Sequence, residues 1–135
     1  MHTLVLYGSS RRADASLRDL ARRARAGGAR LTVLSLVRQE PERRRCCDMR
    51  SPMWNEICRE LGQEDLTRAY RAVDGDDRVE LDTLLAGGRR AADAVAVEAL
   101  RRRADAIALA DPRASGLGPL ERRRLRRRSP VPVLG

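Results

Sequence analysis

Residues 3–37, TLVLYGSSRRADASLRDLARRARAGGARLTVLSLV, change hydrophobic period twice, and those two changes decide the fold. Thr3 to Tyr7 is a nearly unbroken apolar run bounded by Gly8-Ser9-Ser10, the pattern of a buried strand that ends in a turn. Beyond the turn, Ala13, Leu17, Leu20, Ala21 and Ala24 recur at helical spacing with arginines between them, until Gly27-Gly28 stops the helix. Leu31 to Val37 is again apolar on consecutive positions, as strands covered on both faces are. Strand, helix and strand in that order make a βαβ unit with parallel strands and a right-handed crossover.

The pattern continues outward from this unit. Residues 38–50 are charged and irregular and predict a loop. Ser51 as N-cap and Pro52 at the first helical position open a second helix, with Met53, Trp54, Ile57, Cys58 and Leu61 as its expected apolar face. Gly62 is an expected interruption before Leu66, Ala69, Tyr70 and Val73 continue that face. Asp74 to Asp77 is a turn, Val79 to Leu85 a third strand, Ala91 to Arg102 a third helix, and Ala106 to Ala110 a fourth strand. The loop DPRASGLG leads to a short helix at Pro119–Arg128 and a last strand at 131–134. The alternation predicts one α/β domain over residues 1–135, with a parallel sheet and helices on both faces.

Composition narrows the function classes. All 28 basic residues are arginine and phenylalanine is absent, which is the usage of a GC-rich genome and says little about chemistry. The net charge of +9 does carry information. It sits at the two ends: residues 1–37 and 119–135 each carry +5, while 38–78 carries −1 and 79–118 is neutral. Cys46, Cys47 and Cys58 form no pair of C-x-x-C knuckles and His2 is the only histidine, so no zinc site is expected and the thiols are expected to be reduced. Nothing at the amino terminus reads as a secretory leader, and no stretch is long enough to span a bilayer, so a cytoplasmic protein is expected.

LVLYGSS followed by the alanine-rich helix and GARLTVLSLV, RRADAIALA before the fourth loop, and the closing SPVPVLG together resemble the universal stress protein family over nearly the whole chain. The resemblance implies a five-stranded Rossmann-like sheet in the order 3-2-1-4-5, with the winding reversed between strands one and four. Ligands of open α/β sheets lie outside the carboxyl ends of the strands at such a switch point. The crevice expected there is lined by Tyr7, Gly8, Ser9 and Ser10 after strand one, by Val37 and Arg38 after strand two, and by Ala110, Asp111, Arg113, Ser115, Gly116 and Gly118 after strand four.

Family members that bind ATP carry an aspartate after strand one and a G-x-x-G motif, followed nine residues later by G-S/T, after strand four. This sequence departs from that pattern at each point. Tyr7 replaces the acid and is expected to point into the crevice and fill it; Ala110 and Arg113 replace the first two glycines; Arg123 and Arg124 fall where Gly-Ser would stand. Glycines let backbone N–H groups approach phosphate oxygens, and an arginine side chain crowds that approach. The expected pocket is therefore degenerate and without a resident cofactor, with ATP or AMP on a shortened SGLG loop (Ser115 to Gly118) as the alternative.

Three functions compete. The resemblance implies a non-enzymatic, stress-associated or regulatory protein, a homodimer through an edge strand of Val131, Pro132, Val133 and Leu134, of which Pro132 cannot donate to a ladder. Leu117, Leu120 and Leu125 are expected to seat the preceding helix on the sheet, with the arginines turned outward. A nucleic-acid binder would use those arginines on phosphates, but Trp54, Tyr7 and Tyr70 are scattered, and helices one and four are expected on opposite faces. An enzyme is least supported, because no catalytic residue is identified: His2 lies at the wrong end of strand one, and Asp111 is the sole carboxylate of the fourth loop.

Overall fold

The computed structural model describes residues 1–39, 50–87 and 90–135; Cys46 and Cys47 lie outside them. The chain runs β1 (His2–Leu6), α1 (Arg11–Gly27), β2 (Arg30–Gln39), α2 (Arg50–Ala72), β3 (Val79–Gly87), α3 (Ala91–Arg101), β4 (Ala106–Leu109), a 3-10 turn (Pro112–Ala114), α4 (Pro119–Arg128) and β5 (Val133–Leu134). The strands form one sheet in the order β3-β2-β1-β4-β5, and every neighbouring pair is parallel. The apolar runs of β1 and β4 explain their central place: Leu4, Val5, Leu6, Ile107 and Leu109 need cover on both sides.

That cover comes as two layers. Val5, Leu31, Val33 and Ala108 face Ala13, Leu17 and Ala21 of α1 and Ala69 and Ala72 of α2. Leu4, Leu6, Leu34 and Ile107 face Ala91, Val95 and Ala99 of α3 and Leu125 of α4. The first and last helices therefore lie on opposite faces, and the two basic segments do not merge.

Four elements depart from the sequence expectation. Helix α2 runs unbroken through Gly62, and its outward face carries Met53, Trp54, Ile57 and Leu61, while Asn55, Leu66, Ala69 and Ala72 are buried. The reason is a close approach: a Cβ on Gly62 would stand 2.6 Å from a methyl of Val37, so only this glycine lets α2 lie on β2, and the helix rotates to bring it there. Leu120 of α4 is 77% exposed, so Leu117 and Leu125 alone seat that segment. Strand β5 is the two-residue edge Val133–Leu134; Val131 and Pro132 precede it, and Pro132 serves it through its carbonyl, which accepts from the Ile107 N–H at 2.9 Å. Arg38 and Gln39 end β2 instead of opening the loop. No helix among the described residues is long and apolar enough to cross a membrane.

Candidate functional site

The β1–α1 turn and the loop after β4 meet at the carboxyl end of the sheet. Ser10 is the N-cap of α1: its Oγ accepts from the Ala13 N–H at 2.9 Å and donates to Asp111 Oδ2 at 2.8 Å. Asp111 in turn caps the 3-10 turn, accepting from the Arg113 N–H at 3.1 Å. The hydrogen bond from Ser10, and next the Arg113 N–H, hold the Asp111 carboxyl below the usual carboxylate range against the opposing effect of burial. Gly8 packs so tightly beneath this bridge that a Cβ there would stand 1.6 Å from the Ala114 carbonyl oxygen. The two loops meet here in direct contact.

The donors of the fourth loop are likewise engaged. Ser115 Oγ accepts from the Leu117 N–H at 3.3 Å and donates to the Pro112 carbonyl at 2.9 Å. The Gly118 N–H goes to Glu121 Oε1 at 3.2 Å, and Arg122 clamps the carbonyls of Pro112 and Leu117 at 2.7 and 3.0 Å. An anion seated on SGLG would have to displace Ser115 and Glu121 from these N–H groups.

Tyr7 differs from its expected orientation. Its ring is 1% exposed and packs between the sheet and helices α1 and α2, with its hydroxyl donating to Asp14 Oδ1 at 2.5 Å. Arg68 of α2 donates to the other oxygen of Asp14 at 2.8 and 3.0 Å. Burial and then the Asp14 hydrogen bond raise the Tyr7 hydroxyl far above the usual phenol value. Burial also pushes the Asp14 carboxyl up, but the bonds from Arg68 and Tyr7 outweigh it and leave Asp14 below its ordinary range. Ser9 donates to Asp65 on the same side, and Ser35 reaches Asp65 Oδ2 at 3.4 Å. Val37 and Ala110 are core residues at 2% and 3% exposure. Asp14, Asp65 and Arg68 were not identified from the sequence; their only signal was polarity at helical positions one turn from the apolar stripe.

Arg38 takes a different position from the rest of the expected lining. Its guanidinium reaches across from β2 to the Gly116 carbonyl at 2.7 Å and Glu121 Oε1 at 2.5 Å, on the α3/α4 side of the sheet. Glu121 Oε2 is left buried with no hydrogen-bond partner among the described residues. From this contact a groove of about 700 Å³ runs along α4, lined by Gly118, Leu120, Arg123, Arg124, Arg127 and Arg128. At the opposite end of the sheet His2 is 7% exposed and structural, with Nε2 at 2.7 Å from Thr32 Oγ1 and Nδ1 at 3.2 Å from the Arg102 carbonyl. Among the described residues no group of three or more His, Cys, Asp or Glu stands where it could hold a metal ion.

No family model and no curated protein matches the sequence. Solved structures do match the fold. A protein of the universal stress protein family from Burkholderia pseudomallei superposes with a TM-score of 0.68 at 19% identity, over 98% of this chain and 92% of that one. The universal stress protein of Archaeoglobus fulgidus in complex with dAMP gives 0.66 at 22% identity, over 98% and 94%. A universal stress protein in complex with cAMP gives 0.58 at 17% identity, again over 98% and 94%.

Proposed function

We propose, from a fold that is that of the universal stress proteins, that the protein is a cytoplasmic, non-enzymatic regulatory or stress-associated protein of the universal stress type. It acts as a homodimer through its β5 edge and does not hold a nucleotide at the switch point. The observation that carries this proposal is the bridge from Ser10 to Asp111 at 2.8 Å above the Gly8–Ala114 contact, which joins the two loops directly where the switch-point crevice would open. The engagement of the two bases weighed from the sequence supports the non-enzymatic part: Asp111 is bonded by Ser10 and the Arg113 N–H, and His2 is bonded at the far end of the sheet.

Nucleotide binding is the alternative, and it draws on the two neighbours in complex with dAMP and cAMP. Against it stand the Leu117 and Gly118 N–H groups, already taken by Ser115 and Glu121. The test is direct. Neither AMP nor adenosine is expected to raise the melting temperature of the protein, and protein purified, denatured and chromatographed is expected to release neither in stoichiometric amount. Stoichiometric AMP or adenosine, or a clear rise with either, would overturn the closed-pocket proposal. ATP hydrolysis abolished by Asp111→Ala would overturn the non-enzymatic one.

A further inference from the structure

We propose that the groove along α4 is a binding site for a small anion carrying several linked phosphates, gripped by Arg123, Arg127 and Arg128 and closed at one end by Arg38. The inference goes beyond the function proposed above and is independent of whether the switch point is closed, because it concerns the α3/α4 flank of the sheet.

It starts from what each arginine of α4 does. Arg122 clamps two loop carbonyls, Arg124 pairs with Asp93 of α3 at 3.0 Å, and Arg126 donates to the Gly135 carbonyl. Arg123, Arg127 and Arg128 have no hydrogen bond or ion pair among the described residues. All three line the same concavity. Basic side chains in a last helical turn are favoured by the helix dipole, which accounts for Arg127 and Arg128 in part. The dipole does not account for Arg123 in the middle of the helix, nor for Arg38, brought into the groove from β2 and held there by Glu121. Arg123 and Arg127 are four residues apart, as are Arg124 and Arg128, so the helix carries like-charge repulsion along one face that a bound anion would relieve.

The ligand class follows from the lining. Among the described residues, five guanidinium groups and one carboxylate, Glu121, surround the groove, and Asp93 balances one further charge, so these residues present an excess of about three positive charges to the ligand. Glu121 sits at the Arg38 end, so the anion lies toward the carboxyl end of the helix. There Arg123 and Arg127 are spaced by about one helical turn, on the order of 6 Å along the axis, which suits a chain of phosphates better than a single one. Among the described residues no aromatic side chain lines the groove, so a base has nothing there to stack on. Its volume of about 700 Å³ is that of a small-molecule site.

The test is calorimetric titration of the whole chain with inorganic tripolyphosphate, ATP, orthophosphate and a short single-stranded oligonucleotide, at low and at physiological salt. Tripolyphosphate is expected to bind, more weakly as salt rises, and ATP to bind with the same affinity through the same residues, because only phosphate is read. Replacing Arg123, Arg127 and Arg128 by Gln should weaken tripolyphosphate about tenfold or more. The corresponding Lys variant, which keeps the charges, should retain most of the affinity, and an equal loss of charge on other faces, Arg11, Arg22 and Arg71→Gln, should change it little. Equal losses in the groove and control variants would overturn the site, since the effect would then be diffuse charge. An oligonucleotide that outcompetes tripolyphosphate would overturn the small-ligand assignment, and an ATP preference of about tenfold would show that the base is read.

Discussion

At the scale of single residues, the polar groups around Tyr7 behave as a unit. The phenol is buried, its hydroxyl has Asp14 as acceptor, and Asp14 has Arg68 as its cation. Asp14→Ala leaves a buried hydroxyl without an acceptor and is expected to cost about 1–3 kcal/mol in denaturant unfolding. Tyr7→Phe, which keeps the ring, is expected to cost about 0.5–1.5 kcal/mol. The pH dependence has a definite sign on each side. The Asp14 carboxyl is depressed in the folded state, so its contribution is complete above the unfolded value of about 3.9 and is lost as the pH falls through the lower folded value. The Tyr7 hydroxyl is raised, so its contribution is complete below about pH 10 and is lost as the pH climbs above it. An Asp14→Asn variant should flatten the acid limb, and unfolding midpoints measured between about pH 3 and about pH 11 would read both limbs. Gly8→Ala tests the closed crevice: with no room for a Cβ against the Ala114 carbonyl, it should cost about 1–3 kcal/mol. A neutral result would mean that the two loops are free to part.

At the scale of elements, the helices and strands were legible wherever one hydrophobic period dominated, as in β1, α1 and β2. Helix α2 was legible as a helix but not in its rotation. Its amino-terminal half carries two stripes of equal spacing, one of Trp54, Ile57 and Leu61 and one of Asn55, Cys58 and Gly62, and periodicity cannot choose between them. Side-chain volume favours the first stripe; the distance between α2 and β2 selects the second, because only Gly62 fits against Val37. The same limit hid the outward turn of Leu120, where the i, i+3, i+8 spacing of Leu117, Leu120 and Leu125 suggested one face although Leu117 precedes α4. In the site, the residues near the switch point were legible, since topology alone brings Gly8, Ser10 and Asp111 to one end of the sheet. Their mutual contact was not, because it depends on loop geometry that no period encodes. A double variant Trp54→Gln, Ile57→Gln is therefore expected to stay within about 0.5 kcal/mol of the parent, whereas Leu125→Ala, fully buried, should cost about 2–5 kcal/mol. A large loss from the first pair would mean that α2 faces the sheet with its apolar stripe after all.

At the scale of the whole molecule, the placement of charge and of edges matters more than any one contact. The two basic segments lie on opposite faces and do not form one broad surface, and one concave part of the charge runs along α4. The edges differ in kind. Strand β3 is long, with polar Glu80 and Asp82 along it, and Arg102 pairs with Asp82 at 2.8 Å there. The β5 edge is short and apolar: Leu134 is half exposed, Val131 and Val133 pack on the α3/α4 layer, and the strand covers Ile107 and Ala108 of β4. An exposed apolar edge of this kind is a template for a second copy, which is why the proposed dimer is assigned to it. Deleting residues 131–135 removes both valines and unpairs the Ile107 N–H from the Pro132 carbonyl, for an expected loss of about 2–4 kcal/mol. It should also convert the dimer to a monomer in analytical ultracentrifugation. The Gln variant of Arg126, Arg127 and Arg128 serves as the control, because it alters the charge beside the edge and leaves Val133 and Leu134 in place; it should remain folded and dimeric. A truncated chain that still sedimented as a dimer would move the interface away from β5, and the exposed stripe of α2 would then be the surface to test.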